Sequence, residues 1–241
     1  MKHKGVIFVT GAGSGIGLET VERLIHEGYA VGACDINIER LKAISSDSLI
    51  SFELDVRNKA AIDHAVTSTV QKFSMLTGVV ACVGVFPQRP FLEIDENLWD
   101  FTFDVNLKGA LFTSQAVIPY LRVSGKGSIV FYSSSAARYG TANGTHYASS
   151  KGGILGLARV LAVEVAQENI RVNVISPGIT DTPQPRGNMT VDQIDEWVKH
   201  IPLQRIGLPK DMVEASLFLL EDDSSFITGQ DLRINGGALI F

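Results

Sequence analysis

The chain is poor in cysteine, in positive charge and in long apolar runs. Only two of its 241 residues are cysteine, Cys34 and Cys82, far apart and outside any CxxC pair or Cys/His cluster. That excludes a disulfide framework and structural zinc, so no metal is expected and a reduced, cytoplasmic chain is. Basic residues number 21 against 26 acidic ones, a net charge of −5. Proteins that grip phosphate backbones carry a basic patch, so nucleic acid is not an expected partner. No apolar run approaches the ~18–20 residues needed to cross a bilayer. The apolar stretch behind the basic N-terminus stops at Thr10-Gly11, too short for a signal-peptide core.

What remains is an ordinary globular mixture, 45% hydrophobic and 20% charged, with one excess: 23 glycines, several of them within the first 20 positions. Short β-branched runs at 6–10, 30–35, 50–54, 79–83, 128–132, 172–175 and 232–234 alternate with helix-period segments at 16–27, 59–73, 98–121, 147–168 and 212–220. The early strands are continuously apolar, as parallel strands covered on both faces must be. The expectation is an α/β fold: one Rossmann-like, doubly wound domain over 1–241, with about seven mostly parallel strands and helices on both faces. The segment 177–209 holds five of the eight prolines around one helical candidate, 191–199, and its 183–209 part is expected to form a substrate lid.

Thr10-Gly11-Ala12-Gly13-Ser14-Gly15-Ile16-Gly17 follows the first strand and opens the first helix. Glycine there lets the backbone approach a pyrophosphate, and the helix N-terminus offers N–H donors and partial positive charge. Gly11, Ser14, Gly15, Ile16 and Gly17 are the expected contacts. The spacing is G-x-x-x-G-x-G, neither the strict G-x-G-x-x-G nor a P-loop. Asp35 ends the second strand, 18 residues after Gly17. A carboxylate there accepts both hydroxyls of an adenosine ribose and repels a 2′-phosphate, which favours NAD over NADP. Asp55 and Val56 end the third strand, where an Asp side chain reaches toward an adenine amino group; the same pair also suits a plain turn.

Tyr147 and Lys151 stand four apart at the start of a long apolar helix, so phenol and ammonium share one face. A nearby ammonium is expected to lower the tyrosine pKa toward working pH, as a general acid/base for alcohol–ketone chemistry requires. Ser133-Ser134-Ser135 closes the fifth strand at the carboxyl edge, where a hydroxyl can donate to a developing alkoxide. Asn106 lies inside an apolar run, where an amide needs a partner or a function.

Over essentially its whole length the chain resembles the short-chain dehydrogenases/reductases of about 250 residues. Asn106, Ser134, Tyr147 and Lys151 match that family's catalytic tetrad in order and spacing; Ser134 is chosen among the three serines because it lies 13 residues before Tyr147. Pro177, Gly178, Ile179 and Thr182 match the segment that contacts the nicotinamide, Gly84 the glycine after the fourth strand, and Ile227-Thr228-Gly229-Gln230 with Gly236-Gly237 the C-terminal signature. One motif departs: Ala81-Cys82-Val83-Gly84 stands where the family usually has Asn-Asn-Ala-Gly. The resemblance implies that Tyr147 exchanges the proton of a secondary alcohol (a sugar, polyol or hydroxy acid) while NAD takes hydride. Ser134 would hold the substrate oxygen, Lys151 the nicotinamide ribose and Asn106 a relay water. It also implies a homotetramer built through the 98–121 and 147–168 helices. Substrate contacts are expected from Val85, Phe86, Ala136, Arg138, His146 and Arg186, with Arg138, Arg186 and Arg89 available to clamp an anion. The competing readings are an NADPH-dependent 3-oxoacyl-acyl-carrier-protein reductase, against which Asp35 and the negative charge argue, and a non-catalytic NAD-binding regulator, against which the intact tetrad argues.

Overall fold

Val6-Ile7-Phe8-Val9 carries apolar side chains on both faces of a pleated strand, which therefore needs cover on both sides. In the computed structural model, which describes residues 3–240, all four are buried. Val6 and Phe8 enter one hydrophobic layer, and Ile7 and Val9 enter the other. They belong to β1 (Val6–Thr10), which lies inside one sheet with β2 (Ala30–Asp35), β3 (Leu49–Glu53), β4 (Gly78–Ala81), β5 (Gly127–Tyr132), β6 (Ile170–Pro177) and β7 (Asp231–Ile234). The order is β3-β2-β1-β4-β5-β6-β7 and every pairing is parallel. The chain changes direction of winding between β1 and β4, and at such a switch point a crevice opens beyond the carboxyl ends of the strands.

Ten α-helices are described: α1 (Gly15–His26), α2 (Glu39–Lys42), α3 (Lys59–Phe73), α4 (Glu96–Phe103), α5 (Gly109–Ser124), α6 (Ala136–Tyr139), α7 (Thr145–Val165), α8 (Pro183–Asn188), α9 (Val191–Lys199) and α10 (Pro209–Leu220). Leu18, Val21 and Leu24 of α1 meet Met212, Val213 and Leu217 of α10 on one face of the sheet. Residues of α3, α5 and α7 fill the opposite layer. The doubly wound architecture is as the alternation of the sequence implied.

The differences are local and have local causes. The expected 98–121 helix is α4 and α5 joined through a wider π-turn, Asp104–Lys108, which holds Asn106. It begins earlier because the Asp95 carboxylate caps it, accepting from the Leu98 N–H at 2.8 Å. α10 also begins earlier, with Pro209 in its first turn and the Asp211 carboxylate accepting from the Leu208 N–H at 2.8 Å. β4 stops at Ala81, so residues 82 and 83 leave the sheet and face the crevice. The 183–209 segment holds two helices rather than one, α9 opening on a Thr190–Gln193 capping box. α2 and α6, of four residues each, are too short to leave a helical period in the sequence.

Asn173, fully buried on β6, ties the sheet to its last strand. Its Nδ2 donates to the Ile227 carbonyl at 2.8 Å, and its Oδ1 accepts from the Gln230 N–H at 3.0 Å. Truncation removes two hydrogen bonds made from a fully buried side chain, so Asn173→Ala should lower unfolding stability by about 1–3 kcal/mol in urea titrations. Hydrogen exchange should accelerate over residues 227–234; an unchanged urea midpoint would show that β7 is held without this side chain.

Candidate active site

A cleft of about 1120 Å³ lies at the carboxyl edge of the sheet. Its floor begins with the glycine loop, where Gly11 and Gly15 adopt φ of +69° and +51°, conformations that favour glycine. A Cβ on Gly17 would collide with the Gly11 carbonyl. Ser14 stands at the N-cap of α1 with no side-chain cap hydrogen bond, and the first turn holds no acidic residue. Gly11, Ser14, Gly15, Ile16 and Gly17 all line the cleft. A backbone cradle with no Cβ to fill it, against an uncapped helix N-terminus, fits a pyrophosphate.

Beside the loop, Asp35 accepts from the Gly13 N–H at 2.9 Å through Oδ2 and from the Asn37 N–H at 3.0 Å through Oδ1. Each oxygen keeps a second lone pair, so the fixed carboxylate still has capacity for two hydroxyl donors. The neighbouring Ile36 is exposed and supplies no cation. Asp55 also borders the cleft with Val56, but its carboxylate is turned onto Arg57, whose Nε and Nη2 donate at 2.9 and 2.6 Å. Those bonds hold Asp55 below the usual carboxylate range.

At the other end α7 delivers Tyr147 and Lys151 one turn apart, both buried and both on the cleft. Lys151 Nζ donates to the Tyr132 carbonyl at 2.9 Å and to the Val83 carbonyl at 3.2 Å. Burial lowers its pKa to about 8. Tyr147 corrects an expectation. Burial raises its pKa and outweighs hydrogen bonding from Ser134 and Gln184, which acts the other way. The Lys151 ammonium, one helical turn away, spends two of its donors on main-chain carbonyls rather than on the phenol.

Of the three serines, Ser134 lines the cleft within hydrogen-bonding reach of Tyr147. Ser133 also borders it, but its hydroxyl is turned back to donate to the Lys151 carbonyl at 2.7 Å. Asn106 brackets Val85, accepting from its N–H at 2.8 Å and donating to its carbonyl at 3.1 Å, with a further bond to Ser150 Oγ at 3.0 Å. Gly84 passes so close to the lysine that a Cβ would sit 2.9 Å from Nζ. Cys82, in the departing motif, is a thiol pushed up to about 12 by burial, which outweighs the opposing pull of Lys151 and Thr20 and keeps it protonated. Pro177, Gly178, Ile179 and Thr182, the expected nicotinamide contacts, also line the cleft.

The expected substrate contacts divide. Phe86, Val85 and Ala136 line the cleft, and the Phe86 ring stacks on Tyr147 with centroids 4.3 Å apart. Arg138 and Arg186 do not line it: Arg138 is drawn to Asp231 at 2.8 Å, and Arg186 to Asp181 at 2.9 Å. Arg89 is exposed outside it. His146 is also absent from the wall; it is buried, with Nε2 2.6 Å from the Pro87 carbonyl and Nδ1 unpartnered. Sequence reasoning missed Gln184, Tyr139 and Trp197, all on the wall. A clue existed for one of them: Trp197 is the aromatic residue of the 191–199 helical candidate inside the expected lid.

Residues 11–238 match the model of a family described as enoyl-(acyl carrier protein) reductase. The chain is 35% identical to the 3-oxoacyl-acyl-carrier-protein reductase of Thermotoga maritima, covering 98% of both chains. It is 34% identical to the (3R)-3-hydroxyacyl-CoA dehydrogenase of Canis lupus familiaris, covering 98% of this chain and 96% of that one. Among solved structures, the ligand-free aldohexose dehydrogenase of Thermoplasma acidophilum superposes with a TM-score of 0.92 at 30% identity, covering 98% of this chain and 94% of that one. The 3-ketoacyl-(acyl-carrier-protein) reductase of Brucella melitensis complexed with NADH gives 0.91 at 25% identity, covering both chains fully. With a glycine-loop cradle and a buried Tyr/Lys pair on one parallel sheet, and relatives matched along its whole length, the chain belongs to the short-chain dehydrogenase/reductase family of oxidoreductases acting on CH–OH groups.

Proposed function

We propose that the protein oxidises a secondary alcohol, or reduces the corresponding ketone, with NAD as its nicotinamide partner. The observation that carries this is the meeting of Ser134, Tyr147 and Lys151 in one cleft with the glycine cradle and Asp35. When bound, the dinucleotide supplies hydride acceptance or donation at its nicotinamide. Tyr147 takes the alcohol proton in oxidation and returns it in reduction. Ser134 donates to the substrate oxygen and holds it against Tyr147. Lys151 presents its ammonium from two carbonyls, leaving one N–H for a ribose hydroxyl, and stabilises negative charge developing nearby. Asn106 holds the Val85 backbone that forms the cleft's side. Asp35, with no cation beside it, selects a ribose that carries free hydroxyls.

A second reading, an NADPH-dependent 3-oxoacyl-acyl-carrier-protein reductase, is favoured by the names of several relatives. Asp35 and the net charge of −5 count against it, since the 2′-phosphate and an acidic carrier both call for cations. The homotetramer belongs to the same proposal: Leu111 of α5 and Val160 and Val163 of α7 are exposed, a pattern that marks an interaction face. Among the described residues no helix is long and apolar enough to cross a membrane. The paucity of cysteine supports a cytoplasmic location.

Tyr147→Phe should abolish turnover of every alcohol or ketone the wild type accepts while NAD affinity, read by calorimetry, stays within about twofold. Retained turnover would remove Tyr147 from the chemistry. Asp35→Ala should erase the preference for NAD over NADP in kcat/KM; an unchanged ratio, or wild-type preference for NADPH with acetoacetyl-CoA, favours the second reading. Because burial raises Tyr147, the phenol is protonated at neutral pH and oxidation needs its minor phenolate form. Oxidation kcat/KM should therefore climb about tenfold per pH unit below the tyrosine pKa, while reduction stays flat and falls only above it. A flat oxidation profile would show that another group takes the proton.

A further inference from the structure

The substrate half of the cleft has a consistent charge character. Three cations stand on the elements around it without lining it, and each is paired: Arg138 with Asp231, Arg186 with Asp181, and Lys199 with Glu196. The described charged residues that do line the cleft are few. Asp35, Asp55 and Arg57 sit at the adenosine end, and Lys151 is bound to two carbonyls. Glu196 is the carboxylate of the substrate half, and Lys199 holds it below the usual range, so it stays ionised. His200 lies 4.0 Å from that carboxylate. A ligand carboxylate or phosphate placed here would find no unpaired guanidinium or ammonium to receive it, and would lie beside Glu196, whose charge already holds the nearby Lys199.

What the wall offers instead is flat carbon and neutral amides. Phe86, Tyr139 and Trp197 provide rings, with the Tyr139 and Trp197 centroids 6.4 Å apart. Gln88, Asn143, Gln184, Asn188 and Gln193 provide amides, each carrying donors and an acceptor. Asn188 spends one donor on the Phe86 carbonyl at 3.0 Å, which fixes α8 to the loop bearing the aromatic wall. Aromatic faces pack on the C–H face of a saturated ring, and amides pair with hydroxyls as donor and acceptor together.

We infer that the substrate is an uncharged ring bearing hydroxyl or carbonyl groups, and that hydroxy acids and phosphorylated substrates are rejected. This deepens the proposed oxidoreductase reading and rests on it. The test uses pairs of equal ring and different charge: 4-methylcyclohexanone against 4-oxocyclohexane-1-carboxylate, and D-glucose against D-glucuronate. Binding is read without turnover in the Trp99→Phe protein, where Trp197 is the remaining tryptophan, with NAD⁺ bound for the ketone pair and NADH bound for the sugar pair, the cofactor state that cannot react with each. The uncharged member of at least one pair should quench Trp197 at a concentration about tenfold below its charged partner. Glu196→Lys, at an exposed position, should shrink that ratio about tenfold by replacing repulsion with attraction. Equal or tighter binding of the charged rings, quenching by neither member of either pair, or a ratio unmoved by Glu196→Lys overturns the inference. Binding of the uncharged ring with no change at the nicotinamide absorbance, when the ketone is given with NADH and the sugar with NAD⁺, would instead leave it standing and sink the oxidoreductase reading.

Discussion

The site depends on one ammonium held out of water by the ends of the sheet. Lys151 is buried, and its charged form is costly there, as its lowered pKa of about 8 records. The carbonyl of Tyr132, last residue of β5, and that of Val83, just past β4, offset part of that cost. Strands that run parallel expose their final carbonyls along one edge, so an all-parallel sheet supplies such acceptors at one place. The helix bearing Lys151 must then lie across that edge. Ser133 secures it by donating to the lysine's own carbonyl, and the register brings Tyr147, one turn earlier, over Ser134. The Tyr147 hydroxyl is thus placed by the solvation needs of its neighbour.

A second constraint works from the opposite side. The π-turn Asp104–Lys108 widens the helix where Asn106 stands, and a π-turn interrupts the regular hydrogen-bond ladder at such points. The Asn106 amide takes up both backbone groups of Val85. Further along the same loop, Asn188 holds the Phe86 carbonyl and His146 sits on that of Pro87. Three consecutive residues are therefore clamped by side chains from three different elements, and the ring between them lies flat on Tyr147. His146 spends its Nε2 on this clamp, which explains why a histidine adjacent to Tyr147 does not reach the cleft.

How much of this was legible in the sequence follows from the range of each interaction. The sheet, the glycine cradle and the Tyr147–Lys151 pair are local: an apolar run, a loop between strand and helix, one helical turn. Ser134 needed the family's spacing to be singled out from its neighbours, because the direction of a hydroxyl is set by tertiary packing. The arginines were misjudged for the same reason. Arg138 is neutralised by Asp231, 93 positions away, and that pairing exists only after β7 has joined the sheet. Arg186 and Asp181 are five apart, but an ion pair across the start of α8 obeys no helical spacing that a sequence pattern would flag. The tyrosine's raised pKa was equally hidden, since spacing reports proximity to a lysine but not the depth at which both are buried.

The departing motif shows which part of the family pattern the geometry demands. In Ala81-Cys82-Val83-Gly84 only the glycine is kept, and only there does the structure leave no room for a side chain, because a Cβ would press on Lys151 Nζ at 2.9 Å. Val83 serves the lysine through its main-chain carbonyl, which any residue provides. Ala81 is a buried β4 residue, and Cys82 is a thiol facing Thr20, kept neutral by burial. Ala81 and Cys82 therefore replace two side-chain amides without removing any contact that Lys151 makes here. The ammonium keeps its partners through the change because they are backbone, and a backbone carbonyl is conserved by the fold rather than by the residue.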